Sequence, residues 1–204
     1  MYVDETVLNF MGSREFESSL MQNETVEATV AFIDICSFTT ISENESPDTV
    51  VKLLNKYFDV MVKEIIAQGG YIDKFIGDAI MSVFRGDYHL DRALDACLAV
   101  RKKIDELPNE SGNIFFAPRV SIGINSGEMI SGNIGSGNLR RLDYTVIGDA
   151  VNTAQRLQTM AAEGQIVINE AAYEKVKESF NCRKVGEVNL KNKANPMTIY
   201  EVMD

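Results

Sequence analysis

The sequence predicts an α+β fold: a ferredoxin-like βαββαβ palm sheet with helices on one face and a C-terminal αβ extension. Between residues 25 and 134, segments of strand and helix periodicity follow the order strand, helix, strand, strand, helix, strand, which is a split βαβ arrangement. The chain has 204 residues, of which 45% are hydrophobic, and this is enough to bury one sizeable core. We expect a lead-in segment over residues 1–24 and a single domain over residues 25–204.

The first strand and the first long helix are defined by the residues at their ends. Residues 25–35 are β-rich and carry Asp34 near the end of the run. A helix is predicted over Asp48–Gln68, because apolar residues recur at helical spacing between Pro47 and the pair Gly69-Gly70. Its predicted apolar stripe comprises Val51, Leu54, Tyr57 or Phe58, Met61 and Ile65.

The central stretch, residues 71–84, is predicted to be a hairpin of two short strands rich in apolar and aromatic residues. The connection Gly77-Asp78 suits a type II′ turn, because glycine tolerates the positive φ that the first turn position requires. Counting outward from this turn places Asp73 opposite Ser82. Both faces are otherwise apolar, so we expect most of the hairpin to be buried.

The remaining elements follow from the same periodicities. A second helix is expected over His89–Leu107, and a polar loop covers residues 135–141. Turn propensity at Ser126-Gly127 predicts a hairpin between two further strands. These two strands cover Phe115–Asn125 and Glu128–Ile134, and the next strand covers residues 142–148. A helix follows over Asp149–Ala162, with a buried stripe of Ala150, Ala154, Leu157 and Ala161. The last elements are a strand (Gln165–Asn169), a helix (Glu170–Ser179) and two strands (Cys182–Leu190 and Met197–Met203).

Composition excludes several classes of function. The net charge of −10 and the absence of a long basic cluster argue against a nucleic-acid-binding or anionic-membrane surface. No window approaches the ~20 apolar residues that a membrane span needs. The three cysteines, which show no CxxC spacing, indicate reduced thiols in a cytoplasmic setting, and the single histidine, His89, cannot anchor a zinc site alone.

Two aspartates far apart in sequence are predicted to meet. A right-handed crossover makes the strand of residues 25–35 parallel to the first strand of the central hairpin, so the two strands end at the same sheet edge. Asp34 lies near the end of one and Asp78 in the turn leaving the other. Two like charges side by side repel each other, and a divalent metal removes that repulsion. Mg²⁺ is commonly held by one or two carboxylates and substrate phosphates, so the pair predicts a magnesium site.

Other polar residues leave more than one interpretation open. Lys74 stands among core residues, where its stem can pack while its ammonium group reaches water. The segment CSFTT after Asp34, which includes Phe38 and Thr39, offers backbone N–H groups to phosphate oxygens, although no GxxxxGK[ST] loop is present. Asn152 and Arg156 share one helix face at i,i+4, which is also the pattern of a solvated polar face.

Four segments together resemble the catalytic domain of the class III nucleotidyl cyclases. They are FIDICSFT, DKFIGDAIM, GINSGEMISGNIGS and DYTVIGDAVNTAQRL, and the likeness runs from about residue 28 to residue 202. Each motif is moderately specific, and their occurrence in this order and spacing is highly specific. The resemblance implies an adenylyl cyclase that converts ATP to 3′,5′-cyclic AMP and pyrophosphate, with two Mg²⁺ (or Mn²⁺) ions per site and with active sites shared across a homodimer.

The resemblance also implies roles for individual residues. Asp34 and Asp78 match the metal-binding aspartates, and Ile35 matches a position that lends its backbone carbonyl. Lys74 and Thr145 match the pair that reads the purine base. Asn152 and Arg156 match the residues that orient the ribose and stabilise the transition state. Arg119 and Lys191 match the positions that hold the triphosphate.

One departure bears on the substrate. Many adenylyl cyclases of this type carry Asp where Thr145 stands, and Thr occurs in the subclass that resembles soluble, bicarbonate-responsive cyclases, so bicarbonate is an expected activator. A hydroxyl both donates and accepts, so it reads the amino edge of adenine less strictly than Asp. Guanylyl-type sites carry Glu and Cys at the positions of Lys74 and Thr145, which favours ATP here. The alternatives are a guanylyl cyclase and a degenerate cyclase-fold module for nucleotide binding or dimerisation.

Overall fold

The computed structural model describes residues 23–108, 118–136, 141–189 and 196–204. The predicted lead-in segment, apart from its last two residues, and Lys191 lie outside these ranges. The elements, in chain order, are β1 (Glu24–Ile35), α1 (Phe38–Asn44), α2 (Pro47–Ala67), β2 (Tyr71–Ile76), β3 (Ala79–Arg85), α3 (His89–Asp105), β4 (Val120–Ser136), β5 (Arg141–Ile147), α4 (Asp149–Met160), β6 (Ile166–Asn169), α5 (Glu170–Val176), β7 (Cys182–Val188) and β8 (Met197–Val202).

These strands form one sheet in the order β2-β3-β1-β4-β6-β8-β7, with β5 paired to β4. Strand β1 pairs antiparallel with β3 on one side and with β4 on the other. Because β3 is also antiparallel to β2, strands β1 and β2 run parallel with β3 between them. The α+β fold with a βαββαβ first half is therefore confirmed.

The two faces of the sheet are covered by different helices. On β1, side chains alternate between two apolar clusters, so that Ile33 belongs to one and Val30 to the other. The first cluster contains the buried residues of the two crossover helices, for example Met61 of α2 and Leu94 of α3. The second contains Ala150 and Ala154 of α4. The crossover helices thus share one face, and α4 packs on the opposite face.

Helix α2 shows why the local sequence forms the predicted element. The side chain of Ser46 caps its N-terminus by accepting a hydrogen bond from the Thr49 amide at 3.3 Å, and Pro47 occupies the first turn, where its missing N–H costs nothing. The predicted stripe is wrong at Val51, which is 56% exposed; Leu53 is buried instead. None of the helices within the described ranges is both long and apolar enough to cross a lipid bilayer.

Strand β4 differs from the prediction. It runs without interruption for 17 residues, and Ser126 and Gly127 lie in its middle, opposite Thr29 and Ala28 of β1. The predicted hairpin is therefore wrong at this point, because a continuous ladder on β1 outweighs the turn propensity of two residues. The predicted beginning of the strand, residues 115–117, lies outside the described residues.

The central hairpin is confirmed, with one change of register, but the expected burial holds only for β3, because Phe75 and Ile76 of β2 are exposed. Gly77 has a φ of 62°, as the predicted type II′ turn requires. Beyond Lys74, which faces Met81, a β-bulge shifts the pairing and places Ile72 opposite Ser82. The prediction that Asp73 faces Ser82 is therefore wrong, and Asp73 is the extra residue of the bulge.

Candidate functional site

The end of β1 brings the two predicted carboxylates together. Asp34 lies directly opposite Ala79, the residue after Asp78, and the amide of Ile35 donates a hydrogen bond to the carbonyl of Asp78 at 3.3 Å. Burial, and secondarily the charge of Asp78, raises the pKa of Asp34 from 3.8 to about 6. The sheet topology thus holds an acid in a place where its ionised form is disfavoured.

The residues at this edge fit a divalent cation. A cation between the carboxylates offsets both burial and repulsion, the two causes of the raised pKa of Asp34. The side chain of Ile35 is 1% exposed and packs in the core, so only its backbone can serve as a ligand. Within the described residues, no group of three or more His, Cys, Asp or Glu side chains could hold a metal. Two carboxylates and a backbone carbonyl are hard oxygen donors, and this set suits Mg²⁺ completed by substrate oxygens and water.

Three other predicted residues surround this edge. The carbonyl of Arg119 accepts a hydrogen bond from the amide of Cys36 at 2.9 Å, which fixes Arg119 beside the end of β1 with an exposed side chain. Phe38 is 5% exposed and packs edge-to-face against Tyr57, so its side chain belongs to the core and only its backbone can face a ligand. Thr39 is exposed in the first turn of α1.

A second cluster joins β2 to β5. The ammonium group of Lys74 donates to the hydroxyl of Thr145 at 3.0 Å. The hydroxyl of Thr145 in turn donates to Oδ2 of Asp73 at 2.7 Å, and the ammonium group lies 3.2 Å from the same oxygen. The side chain of Asp73 is fully buried, whereas that of Lys74 is 40% exposed. The three polar groups therefore form a closed triangle that presents one cation to solvent.

Two features of the sheet assemble this triangle. Successive residues of a flat strand point to opposite faces, so Asp73 and Lys74 meet only because the bulge turns one of them. In the strand order, β3 and β1 lie between β2 and β4, the partner of β5. Thr145 therefore reaches Asp73 across the face of the sheet, by way of the hairpin that β4 and β5 form.

Helix α4 carries the third predicted group. Asn152 is exposed and Arg156 is half-buried, one helical turn apart. The helix lies so close to β4 that a Cβ at Gly123 would be 2.0 Å from the backbone nitrogen of Gln158. In the part of the chain that the structure describes, no hydrogen bond or ion pair joins Asn152 or Arg156 to the carboxylates of Asp34 and Asp78.

The sequence reasoning missed Asp73. Strand alternation predicts an ordinary residue facing Ser82, whereas the buried carboxylate of Asp73 contacts both members of the predicted base-reading pair. A signal was present, because a charged residue next to Lys74 within an otherwise apolar strand requires a partner.

The chain matches a known protein family over most of its length. Residues 20–204 match the adenylate and guanylate cyclase catalytic domain family. An adenylate cyclase from Anabaena cylindrica is 37% identical over 185 residues, which cover 85% of this chain and 36% of the relative. The chain spans between 8% and 36% of the length of the curated relatives compared.

Solved structures of both substrate types are similar to this chain. The adenylyl cyclase CyaB from P. aeruginosa has a TM-score of 0.83 at 34% identity, covering 90% of this chain and 97% of that one. The guanylate cyclase domain of RhGC from Catenaria anguillulae, in complex with GTP, has a TM-score of 0.80 at 28% identity, covering 88% of this chain and 98% of that one. The chain therefore belongs to the adenylate and guanylate cyclase catalytic domain family.

Proposed function

We propose that this domain is an adenylyl cyclase, which converts ATP to 3′,5′-cyclic AMP and pyrophosphate. The observation that carries the choice of ATP is the pair formed by Lys74 and Thr145, whose polar atoms lie 3.0 Å apart. An ammonium group donates to N1 of adenine, and a hydroxyl oxygen accepts from the N6 amino group. The Glu and Cys of guanylyl-type sites, by contrast, replace the cation at Lys74 with an acceptor.

In the reaction, the ribose 3′-hydroxyl attacks the α-phosphorus and pyrophosphate leaves in line. Arg156 is assigned to the negative charge that develops on the phosphoryl oxygens, because a guanidinium is permanently charged and donates from a planar fork. Asn152, on the same face of α4, orients the ribose. No protein nucleophile is required, so the contribution of these side chains is positioning and charge stabilisation.

Asp34, Asp78 and the backbone carbonyl of Ile35 are the proposed ligands of two Mg²⁺ (or Mn²⁺) ions. When bound, such ions lower the pKa of the attacking hydroxyl and neutralise charge on the phosphates. Asp34 must be ionised to act as a ligand, so loading the site below about pH 6 releases the proton that the raised pKa of Asp34 retains.

The triphosphate is assigned to groups around the same edge. Arg119 is exposed beside the end of β1, and the backbone of Phe38 and Thr39 opens α1 nearby. Lys191 is proposed as a further phosphate ligand by likeness to the family.

We further propose that the active form is a homodimer with shared sites. Exposed apolar side chains lie on β2 and β5, which carry Lys74 and Thr145, and on β4, which pairs with β5. They are Phe75 and Ile76 on β2, Ile130 and Ile134 on β4, and Tyr144 and Ile147 on β5, each between 40% and 53% exposed. Such a surface is typical of an interface. In a symmetric dimer, one chain supplies Asp34 and Asp78 and its partner supplies Asn152 and Arg156, so that two complete sites form.

The first test is the activity of the purified chain. It is incubated with ATP or GTP and with Mg²⁺ or Mn²⁺, and cyclic product is measured. Cyclic AMP formation that exceeds cyclic GMP formation supports the proposal, a preference for GTP assigns a guanylyl cyclase, and absence of either product favours a degenerate nucleotide-binding or dimerisation module.

The second test concerns the shared site. Asp34→Ala and Arg156→Ala, each inactive alone, are mixed in equal amounts. Random exchange makes about half of the dimers mixed, each with one sound site of two, so activity recovers to roughly a quarter of wild type. A mixture that stays inactive after subunit exchange has been demonstrated rules out the shared site. Rate per chain also falls on dilution if dimers dissociate.

Stimulation by bicarbonate rests on the likeness at Thr145 alone and stays a prediction. It is tested by measuring turnover against bicarbonate concentration at fixed pH, where a flat response argues against it.

A further inference from the structure

The buried carboxylate of Asp73 is in direct contact with both members of the proposed base-reading pair. It accepts from the Thr145 hydroxyl at 2.7 Å and pairs with the Lys74 ammonium group at 3.2 Å, both through Oδ2. Its other oxygen, Oδ1, is buried without a hydrogen-bond partner among the described residues. A carboxylate that only stabilised the fold would gain from satisfying both oxygens, since each unsatisfied buried acceptor costs stability. We propose that Asp73 is a positioning residue that fixes the direction of the Thr145 hydroxyl and thereby sets discrimination between the 6-amino and 6-oxo purines.

The argument follows from the capacity of a hydroxyl group. A threonine hydroxyl has one proton to donate and two lone pairs that accept. Its proton is directed at Asp73, and one lone pair accepts from Lys74. The remaining lone pair is the only hydrogen-bonding capacity that Thr145 keeps, so toward a ligand this side chain acts as an acceptor alone.

This orientation removes the ambiguity of a threonine in a base-reading position. An acceptor matches the 6-amino group of adenine, which donates, and opposes the 6-oxo group of guanine or hypoxanthine, which also accepts. Lys74 retains a proton for N1 of adenine, whereas N1 of a 6-oxo purine carries a hydrogen and opposes a donor. Asp73 thus makes a neutral hydroxyl behave as an acidic side chain would at the same position.

The bulge in β2 is what makes this contact available. Without it, Asp73 would point away from Lys74, and its carboxylate would not reach either member of the pair. The irregularity therefore lies at the point where the base would be read, which is where bulges commonly re-aim a side chain.

The test, which rests on the proposed function for its substrate, uses Asp73→Asn with Asp59→Asn as a matched control, because Asp59 is an exposed carboxylate on α2. The amide of the Asp73→Asn variant can donate to Thr145 and free the hydroxyl proton to face the base. The ratio of kcat/KM for ATP to that for inosine triphosphate, a 6-oxo purine without a 2-amino group, is expected to fall about tenfold or more. We expect the change mainly in KM, because the base is remote from the reacting phosphorus. The control should keep the wild-type ratio.

A second pair of variants separates positioning from general damage. In a Thr145→Val background there is no hydroxyl to direct, so adding Asp73→Asn should change the ratio by no more than about twofold. Asp73→Ala, which offers no new donor, should also lower the ratio in the chain that keeps Thr145. An unchanged ratio in both Asp73 variants overturns the inference. So does failure of both to fold while Thr145→Val folds, because Asp73 would then be structural.

Binding measurements keep the inference distinct from the reaction. The 3′-deoxy forms of ATP and inosine triphosphate lack the attacking hydroxyl, so calorimetric titration reports base selection without turnover. If the wild type forms no cyclic product but prefers the adenine analogue, and Asp73→Asn lowers that preference about tenfold, the proposed reaction fails and the role of Asp73 stands. If cyclic AMP forms and Asp73→Asn keeps the preference, the reaction stands and the role of Asp73 fails.

Discussion

The raised pKa of Asp34 predicts how stability depends on pH in the absence of metal. In the folded chain this carboxyl has a pKa of about 6, compared with 3.8 for the ordinary group. At a pH between these two pKa values, the folded state binds a proton that the unfolded state has released. The free energy of unfolding therefore falls as pH rises from about 4 to about 6. Replacing Asp34 with Asn removes the titrating carboxyl group and therefore the pH dependence that it causes.

The size of the effect follows from the same shift. A change from 3.8 to about 6 corresponds to about 3 kcal/mol if it is fully expressed. The carboxyl is only partly buried, so solvent screening reduces the expected contribution to ~1–2 kcal/mol. Asp34→Asn should therefore be more stable than wild type by this amount at pH 7, and the two should converge near pH 4. Asp78→Asn should show a smaller gain, because Asp78 is the lesser cause and burial remains.

The assay is urea unfolding in chelator at a series of pH values between 4 and 7, with Asp59→Asn as the control for loss of an exposed carboxylate. The informative quantity is the difference between Asp34→Asn and wild type, since other carboxylates titrate in both. A difference that stays constant over this range, or that favours wild type at pH 7, would refute the reasoning. Added Mg²⁺ should stabilise wild type more at pH 7 than at pH 5, because binding requires the ionised form.

Three further perturbations follow from contacts already described. Gly123→Ala places a Cβ 2.0 Å from the Gln158 nitrogen, so α4 must move. We expect a loss of about 1–3 kcal/mol in unfolding free energy and at least a tenfold loss of turnover. Wild-type values for both quantities would show that contact with Gly123 does not fix the position of the helix. Arg92 donates to three backbone carbonyls, including that of Gln68 at 2.9 Å. Arg92→Met should lower the free energy of unfolding by about 2–3 kcal/mol and leave the activity per folded molecule unchanged. An unaltered Tm would contradict this. Lys74→Glu with Thr145→Cys should shift the ratio of cyclic AMP to cyclic GMP toward cyclic GMP by at least about tenfold. A smaller shift counts against both positions as base readers.

The proximity of Asp34 and Asp78 could be predicted because it depends on topology alone. Parallel strands end at the same edge whatever their side chains do, and a right-handed crossover is the rule for such connections. Helices α2, α3, α4 and α5 could be placed for a similar reason, since their apolar spacing is local in sequence, and so is the cap of α2. The short helix α1 was not predicted, because its seven residues show no clear apolar period.

What could not be predicted depends on contacts between distant strands. Ser126-Gly127 has the local chemistry of a turn, and only its pairing with β1 keeps it extended. The bulge at Asp73 arises from register between β2 and β3, which sequence periodicity does not encode. The triangle of Asp73, Lys74 and Thr145 requires both that bulge and the passage of the β4–β5 hairpin across the sheet. The sequence can therefore indicate single polar residues, but it cannot indicate that these three are in contact.

The position of this triangle divides the site into parts of unequal local stability. The carboxylate edge stands on β1, which is bonded to neighbours along both sides, and its amides should exchange with solvent deuterium only when the whole domain unfolds. Thr145 stands on β5, which is paired along one side to the far end of β4, and Lys74 stands on β2, at the edge of the sheet. Partial opening of these two strands separates Lys74 from Thr145 while leaving Asp34 in place. The first property that such a fluctuation would remove is the proposed selectivity of this pair for the base.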